Sequence, residues 1–264
     1  MNKIGIIGVG NLGRSLAEGL VNYGKLLAGD IALFRRSTSK LEQMKTKGFR
    51  ISSSLEELVH ESEMIFIAVL PQQVNEVLDL IKPFLSSDKL IISLVTGLKI
   101  SDIRSRLDGH DLIARAMPNT AIAIGESMTC LSFNDTSATR SEEIKSLFNH
   151  LGKSIVIKED QMTSATALCA CGTAFFLRAI RAAMQGGTEI DFHSEEALLM
   201  AAQTAKGAAM LLLENGTHPE EEIDKVTSPK GCTIAGLNNM EHSGFSSAFI
   251  KGITTSAEMA KELY

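Results

Sequence analysis

The residues Gly8-Val9-Gly10-Asn11-Leu12-Gly13 are spaced to hold a phosphate anion. They follow an apolar run and open a helical pattern, the context in which a G-x-G-x-x-G turn binds a dinucleotide. Gly8 permits the tight turn, Gly10 lets backbone approach a pyrophosphate, and Gly13 lets helix and strand pack closely. Ile7, Val9, Asn11 and Leu12 flank the glycines and complete this cofactor-binding set. A carboxylate for the adenosine ribose is expected at the end of the second strand. Asp30 lies at about the right distance but begins that strand, and its end carries Arg35 and Arg36. Guanidinium groups suit a 2′-phosphate that a carboxylate would repel, so NADP(H) is expected in preference to NAD(H), whose use stays open. The other reading of the two arginines is a solvated surface pair.

Elements must position these groups. Runs at 3–8, 31–34, 64–69, 90–94, 111–116, 127–133 and 153–157 are short and β-rich. Several are continuously apolar, as strands buried on both faces are. Helical patterns at 11–23, 71–82 and 139–150 lie between them. The alternation predicts an α/β fold: a Rossmann domain with a mostly parallel sheet over residues 1–158. From 159 to 264 the pattern is all-helical, with helices over 161–184, 194–214, 233–242 and 245–262. Ser194 is the expected N-cap of the second of these, and Gly216 its C-cap. Ala197, Ala201, Ala205 and Ala208 give that helix a small-residue face, suited to a close-packed core or to a second subunit.

The chain resembles the pyrroline-5-carboxylate reductase family from end to end. The resemblance rests on GIIGVGNLG (5–13), AVLPQQV (68–74), RAMPNT (115–120), AAQTAKGAAMLLLENGTHP (201–219) and above all VTSPKGCTIAGL (226–237). It implies reduction of 1-pyrroline-5-carboxylate to proline by a homodimer, higher assembly being open, whose helical domain is the dimerisation domain. It places Ala68, Val69, Leu70, Pro71, Thr96 and Asn119 along the cofactor. Ser228, Gly231, Cys232 and Thr233 become the carboxylate-binding loop for a cyclic imino acid, and Thr233 the catalytic candidate beside the ring nitrogen. Thr233 opens a helical stretch, so the loop before it presents free N–H groups to an anion. The bland alternative is that Ser228 and Thr233 only cap that helix.

Three places depart from the family pattern. Leu70 stands where a lysine is common. Cys169-Ala170-Cys171 replaces a serine-glycine-serine run, and Lys230 occupies a position that is usually glycine. Two hydroxyl donors thereby become weak thiol donors. These changes keep two alternatives in view: a catalytically weak NADP(H)-binding protein with a sensing role, or a reductase of another cyclic imine.

Other classes of function find little support. The 264 residues carry a net charge of −5, which offers no basic field for nucleic acid. No apolar run reaches the roughly 18 residues that a bilayer span needs, and no signal peptide is apparent, so no membrane association and a cytoplasmic location are expected. Cysteines at 130, 169, 171 and 232 form no disulfide framework. Convergence of Cys169, Cys171 and Cys232 at the substrate loop would allow metal binding or redox sensing, but their spacing names no metal site and buried inert thiols are expected instead; the histidines show no metal spacing either. His218, before Pro219, reads as structural, and Met200 and Met210 as core filler.

Overall fold

Alternate residues of successive strands face opposite ways, and in this chain both directions are apolar. The computed structural model describes residues 3–37, 41–134 and 137–264. Its sheet begins with β1 (Ile4–Ile7), α1 (Asn11–Asn22), β2 (Ile31–Phe34), α2 (Glu42–Thr46), β3 (Arg50–Ile51), α3 (Leu55–Glu61) and β4 (Met64–Ile67). It continues through α4 (Pro71–Ile81), β5 (Leu90–Ser93), α5 (Ile100–Arg106), β6 (Ile113–Met117), β7 (Ser127–Phe133), α6 (Ser141–Asn149) and β8 (Gly152–Val156). Among the described residues the strand order is β3-β2-β1-β4-β5-β6-β7-β8, parallel except where β6 meets β7. Ile6, Phe66 and Ile92 pack with Leu16 and Leu20 of α1 and Phe148 of α6 on one face. Ile7, Ile67 and Ile91 pack with α3, α4 and α5 on the other. Each such side chain contributes about 1.5–3 kcal/mol by leaving water, so this double cover is what makes the sheet stable.

The chain order reverses between β1 and β4, and both strands end at the same edge. Parallel sheets open a crevice at such a switch point, and the glycine turn lies there.

After β8 come α7 (Met162–Ala165), a π-helical turn (Thr166–Cys171), α8 (Gly172–Glu189), α9 (Ser194–Asn215), α10 (Pro219–Lys225), α11 (Cys232–His242) and α12 (Phe245–Lys261). No strand occurs here among the described residues. The composition shifts at 158/159, yet the compact units divide elsewhere: one runs to Cys171 and takes in Ser256–Tyr264, the other is Gly172–Thr255. Local bonds account for the first unit's extra residues. Glu159 Oε1 accepts from Ile100 N at 2.6 Å and pairs with the buried Arg115 at 3.3 Å. Burial pushes the Arg115 guanidinium down, and the Glu159 carboxylate opposes that. Tyr264 Oη donates to Asn75 Oδ1 of α4 at 2.9 Å.

The second unit hides little of its own apolar surface. In α9 only Ala197 is buried, against Gly187 of α8, while Leu199 is 71% and Leu213 68% exposed. Met200 and Met210 are exposed too, so within one chain they are not core filler. Phe175, Phe176, Phe245 and Phe249 stack between α8 and α12. The helical stretches Glu159–Glu189 and Ser194–Asn215 are, by length and mean composition, apolar enough to cross a membrane. Leucine and alanine, with phenylalanine in the first stretch, produce this average across polar interruptions, so mean hydropathy marks two stretches in which no uninterrupted apolar run of spanning length occurs. The N-cap of α9 is His193 rather than Ser194, with Glu196 Oε2 accepting from His193 N at 3.3 Å. Gly216 is the C-cap as expected, at φ 65°.

Candidate active site

The switch point holds a cleft of about 800 Å³. Ile7, Gly8, Val9, Gly10, Asn11 and Leu12 line one side, Arg35 and Arg36 the end, and Ala68, Val69, Leu70, Pro71 and Thr96 the other side. Gly8 has φ 99°, and a Cβ there would strike the Ala68 carbonyl, so glycine is required for the turn itself. Gly10 faces open space, the condition for a phosphate to come close. The first turn of α1 follows at once, and its N–H groups have no helical acceptors. Such a cradle fits a dinucleotide pyrophosphate, and the two arginines fit an added phosphate on the ribose.

Gly13 does not line the cleft. It is buried, and a Cβ on it would collide with the Gly8 carbonyl oxygen, so its role is the close packing of α1 on β1. Asn119 is outside the cleft as well. Its backbone N–H donates to Ser127 Oγ at 3.1 Å, its side-chain oxygen accepts from Ala121 N at 3.0 Å, and its Nδ2 donates to the Cys169 carbonyl at 3.1 Å. These bonds fasten the turn after β6 to the π-helical turn.

Sequence reasoning missed several groups. Ser37 continues the arginine end of the cleft, and the run Arg35-Arg36-Ser37 carried that signal. Arg35 Nη1 donates to Val9 O at 3.0 Å, tying the arginine strand to the glycine turn. Glu76, from α4, pairs with Arg36 at 2.5 Å within the same cleft. Nothing local in the sequence marks Glu76, because its partner lies 40 residues earlier.

In the helical unit, Gly231 N donates to Ser228 O at 2.9 Å, closing a four-residue turn with Pro229 second and Lys230 third. Lys230 has φ 59°, the left-handed region that a third turn position takes with proline before it. Glycine suits that position at no steric cost, which explains the family preference, and lysine here adopts the same backbone. A Cβ on Gly231 would press on Ser228 Oγ. Helix α11 starts at Cys232 with Gly231 as its N-cap, one residue earlier than the sequence suggested. Thr233 is thus the second helical residue, half-buried, while Ser228 and Cys232 are exposed. The turn therefore delivers a serine, a glycine and a threonine to one helix N-terminus. His218 caps α10, its Nδ1 accepting from Glu220 N at 3.3 Å, in line with a structural role.

The cysteines pair differently from the convergence considered above. Cys130 of β7 and Cys169 of the π-helical turn face each other, with 3.8 Å between the sulfurs. No group of three or more metal-ligating side chains occurs among the described residues.

Comparison with known proteins adds to this geometry. A family model described as pyrroline-5-carboxylate reductase dimerisation matches residues 159–263, and one described as NADP oxidoreductase coenzyme F420-dependent matches residues 3–97. Pyrroline-5-carboxylate reductase 1 of Dictyostelium discoideum is 50% identical over the whole chain, which spans half of that relative's length. Pyrroline-5-carboxylate reductase 2 of the same organism is 48% identical over 98% of this chain and 92% of its own. A crystal structure of Plasmodium falciparum pyrroline carboxylate reductase with NADP bound superimposes with a TM-score of 0.91 at 28% identity, covering 99% of this chain and 98% of that one.

Proposed function

The chain belongs to the pyrroline-5-carboxylate reductase family, and we propose that it reduces the C=N bond of 1-pyrroline-5-carboxylate to give L-proline, with NADPH as preferred reductant. The observation that carries this reading is the glycine-turn cleft ending in Arg35 and Arg36. Gly8, Gly10 and the start of α1 would hold the pyrophosphate, Arg35, Arg36 and Ser37 the 2′-phosphate end, and Ala68 to Pro71 with Thr96 the far wall. The bound nicotinamide supplies the hydride, and the chain supplies position and field.

The first residues of α11, whose N–H groups have no helical acceptors, and the Ser228 hydroxyl hold the substrate carboxylate. Thr233 Oγ1 orients the ring nitrogen. A threonine hydroxyl is too weak an acid to protonate an imine efficiently by itself, so it relays a proton from water. The assay is NADPH oxidation with added 1-pyrroline-5-carboxylate, run beside a six-membered cyclic imino acid. Turnover with the five-membered ring, and proline as product, is the expected result. Nucleotide binding without turnover would replace this reading with the sensing one, and faster turnover of the larger ring with the other-imine one.

The same proposal makes the protein a cytoplasmic homodimer. What supports dimerisation is the apolar surface of α8 and α9, together with the dimerisation model that spans this region. An interface of that kind also accounts for the membrane-like hydropathy of the two helical stretches without any bilayer.

A further inference from the structure

We infer that Cys130 and Cys169 form a reversible dithiol–disulfide site, oxidised by peroxides, that the reductase activity does not use. The sulfurs lie 3.8 Å apart, and a disulfide needs about 2.05 Å, so an approach of about 1.8 Å closes the bond. The two partners differ in freedom. Cys130 is buried in β7, which is paired on one side with β6 and on the other with β8. Cys169 is half-buried in the π-helical turn, whose wider register leaves slack that an α-helical turn lacks. Movement therefore falls on Cys169, and Cys169 is also the sulfur a small oxidant can reach.

The chemistry divides in the same way. The contact between the two sulfurs, with Cys130 donating when Cys169 is ionised, brings the Cys169 thiol down to about 7 against the opposing effect of burial. The Cys130 thiol is pushed up, by that same hydrogen bond first and by burial second. Of the two, Cys169 is thus the one that loses its proton more readily, to give the thiolate that attacks, while Cys130 keeps its proton. The Cys169 thiolate attacks one peroxide oxygen: an S–O bond forms, the O–O bond breaks, and the departing oxygen leaves as water or alcohol after taking a proton from solvent. The resulting sulfenic acid meets Cys130 at once. An S–S bond forms, the S–O bond breaks, and hydroxide leaves as water with the Cys130 proton. Two thiols lose two electrons and the peroxide gains them. Apolar neighbours Met117, Met162 and Ala165 pack in the same cluster as the pair.

The test uses the full-length protein, hydrogen peroxide and peptide mass spectrometry after alkylation under denaturing conditions. The expected product is a linked peptide joining Cys130 to Cys169, lost on treatment with dithiothreitol and absent from Cys169→Ser. In Cys130→Ser the resolving thiol is gone, so dimedone should trap the Cys169 sulfenic acid far more than in the wild type. Links to Cys171 or Cys232 instead, alkylation of Cys130 undiminished after peroxide, or accumulation of Cys169 sulfinic acid in the wild type would each overturn the inference. Should Cys130→Ser fail to fold, as judged by circular dichroism, the wild type and Cys169→Ser decide between these outcomes.

Discussion

The sheet unit and the helical unit spend their apolar residues in different ways. In the sheet, Ile6, Phe66, Ile67 and Ile92 are wholly buried, because helices from the same chain cover both faces. In the helical unit a 22-residue helix buries a single alanine and leaves Leu198, Leu199, Leu211 and Leu213 exposed. The first unit satisfies itself. The second leaves apolar side chains exposed within one chain, and burial in the sheet unit does not depend on concentration whereas cover by another molecule does.

Leu199→Glu tests that contrast most severely. A carboxylate placed in a face that must be covered should raise dimer dissociation by about 100-fold or more, each 1.4 kcal/mol being a factor of ten. Activity should fall with it, while nucleotide binding survives. Sedimentation and a nucleotide titration measure the two parts. Phe66→Ala is the counterpart in the sheet: it should cost about 3–5 kcal/mol and lower the melting temperature equally at every protein concentration. If the Phe66→Ala loss varied with concentration and the Leu199→Glu loss did not, the contrast would be reversed.

Within the site, Thr233→Ala should lower kcat/KM by roughly 10- to 150-fold, the worth of one hydrogen bond to a charged group, with nucleotide affinity almost unchanged. A change below about twofold would leave the hydroxyl only a capping role. Replacing Arg35 and Arg36 by alanine should raise the NADPH KM by roughly tenfold and leave that for NADH within about twofold, because only NADPH carries the 2′-phosphate. Steady-state kinetics with both cofactors reads this. The smallest effect expected is that of Glu76→Gln. Its carboxylate occupies Arg36 and must be displaced by the phosphate, but an exposed pair is weak, so the NADPH KM should drop only about two- to fivefold.

The two units were also unequally legible in the sequence. Strands of the sheet announced themselves because each is a local run bounded by glycine or polar residues, and the glycine turn because its spacing is itself the geometry. β3 did not, since Arg50 and Ile51 form a strand only by pairing with β2. Glu76 and the Cys130–Cys169 contact were invisible for the same reason: each joins residues about 40 positions apart. The π-helical turn interrupts a pattern that reads as one continuous helix from 161, because a register change leaves the apolar spacing nearly intact. At the substrate loop, Lys230 was seen as a departure from a glycine position, but only the backbone explains it, through the positive φ of a turn with proline before it.

The glycines of the nucleotide turn have a consequence for heredity. Gly13 has no room for a methyl group, whereas a methyl group on Gly10 would meet only open space. An alanine at 13 should remove the protein from the cell, because the strand–helix contact cannot form. An alanine at 10 should leave a normal amount of folded protein with weakened grip on its cofactor. A population screened for protein abundance would therefore register one of these alleles and pass over the other. A screen for growth without supplied proline would record both as the same loss, and only the two screens together would separate a position selected for folding from one selected for chemistry.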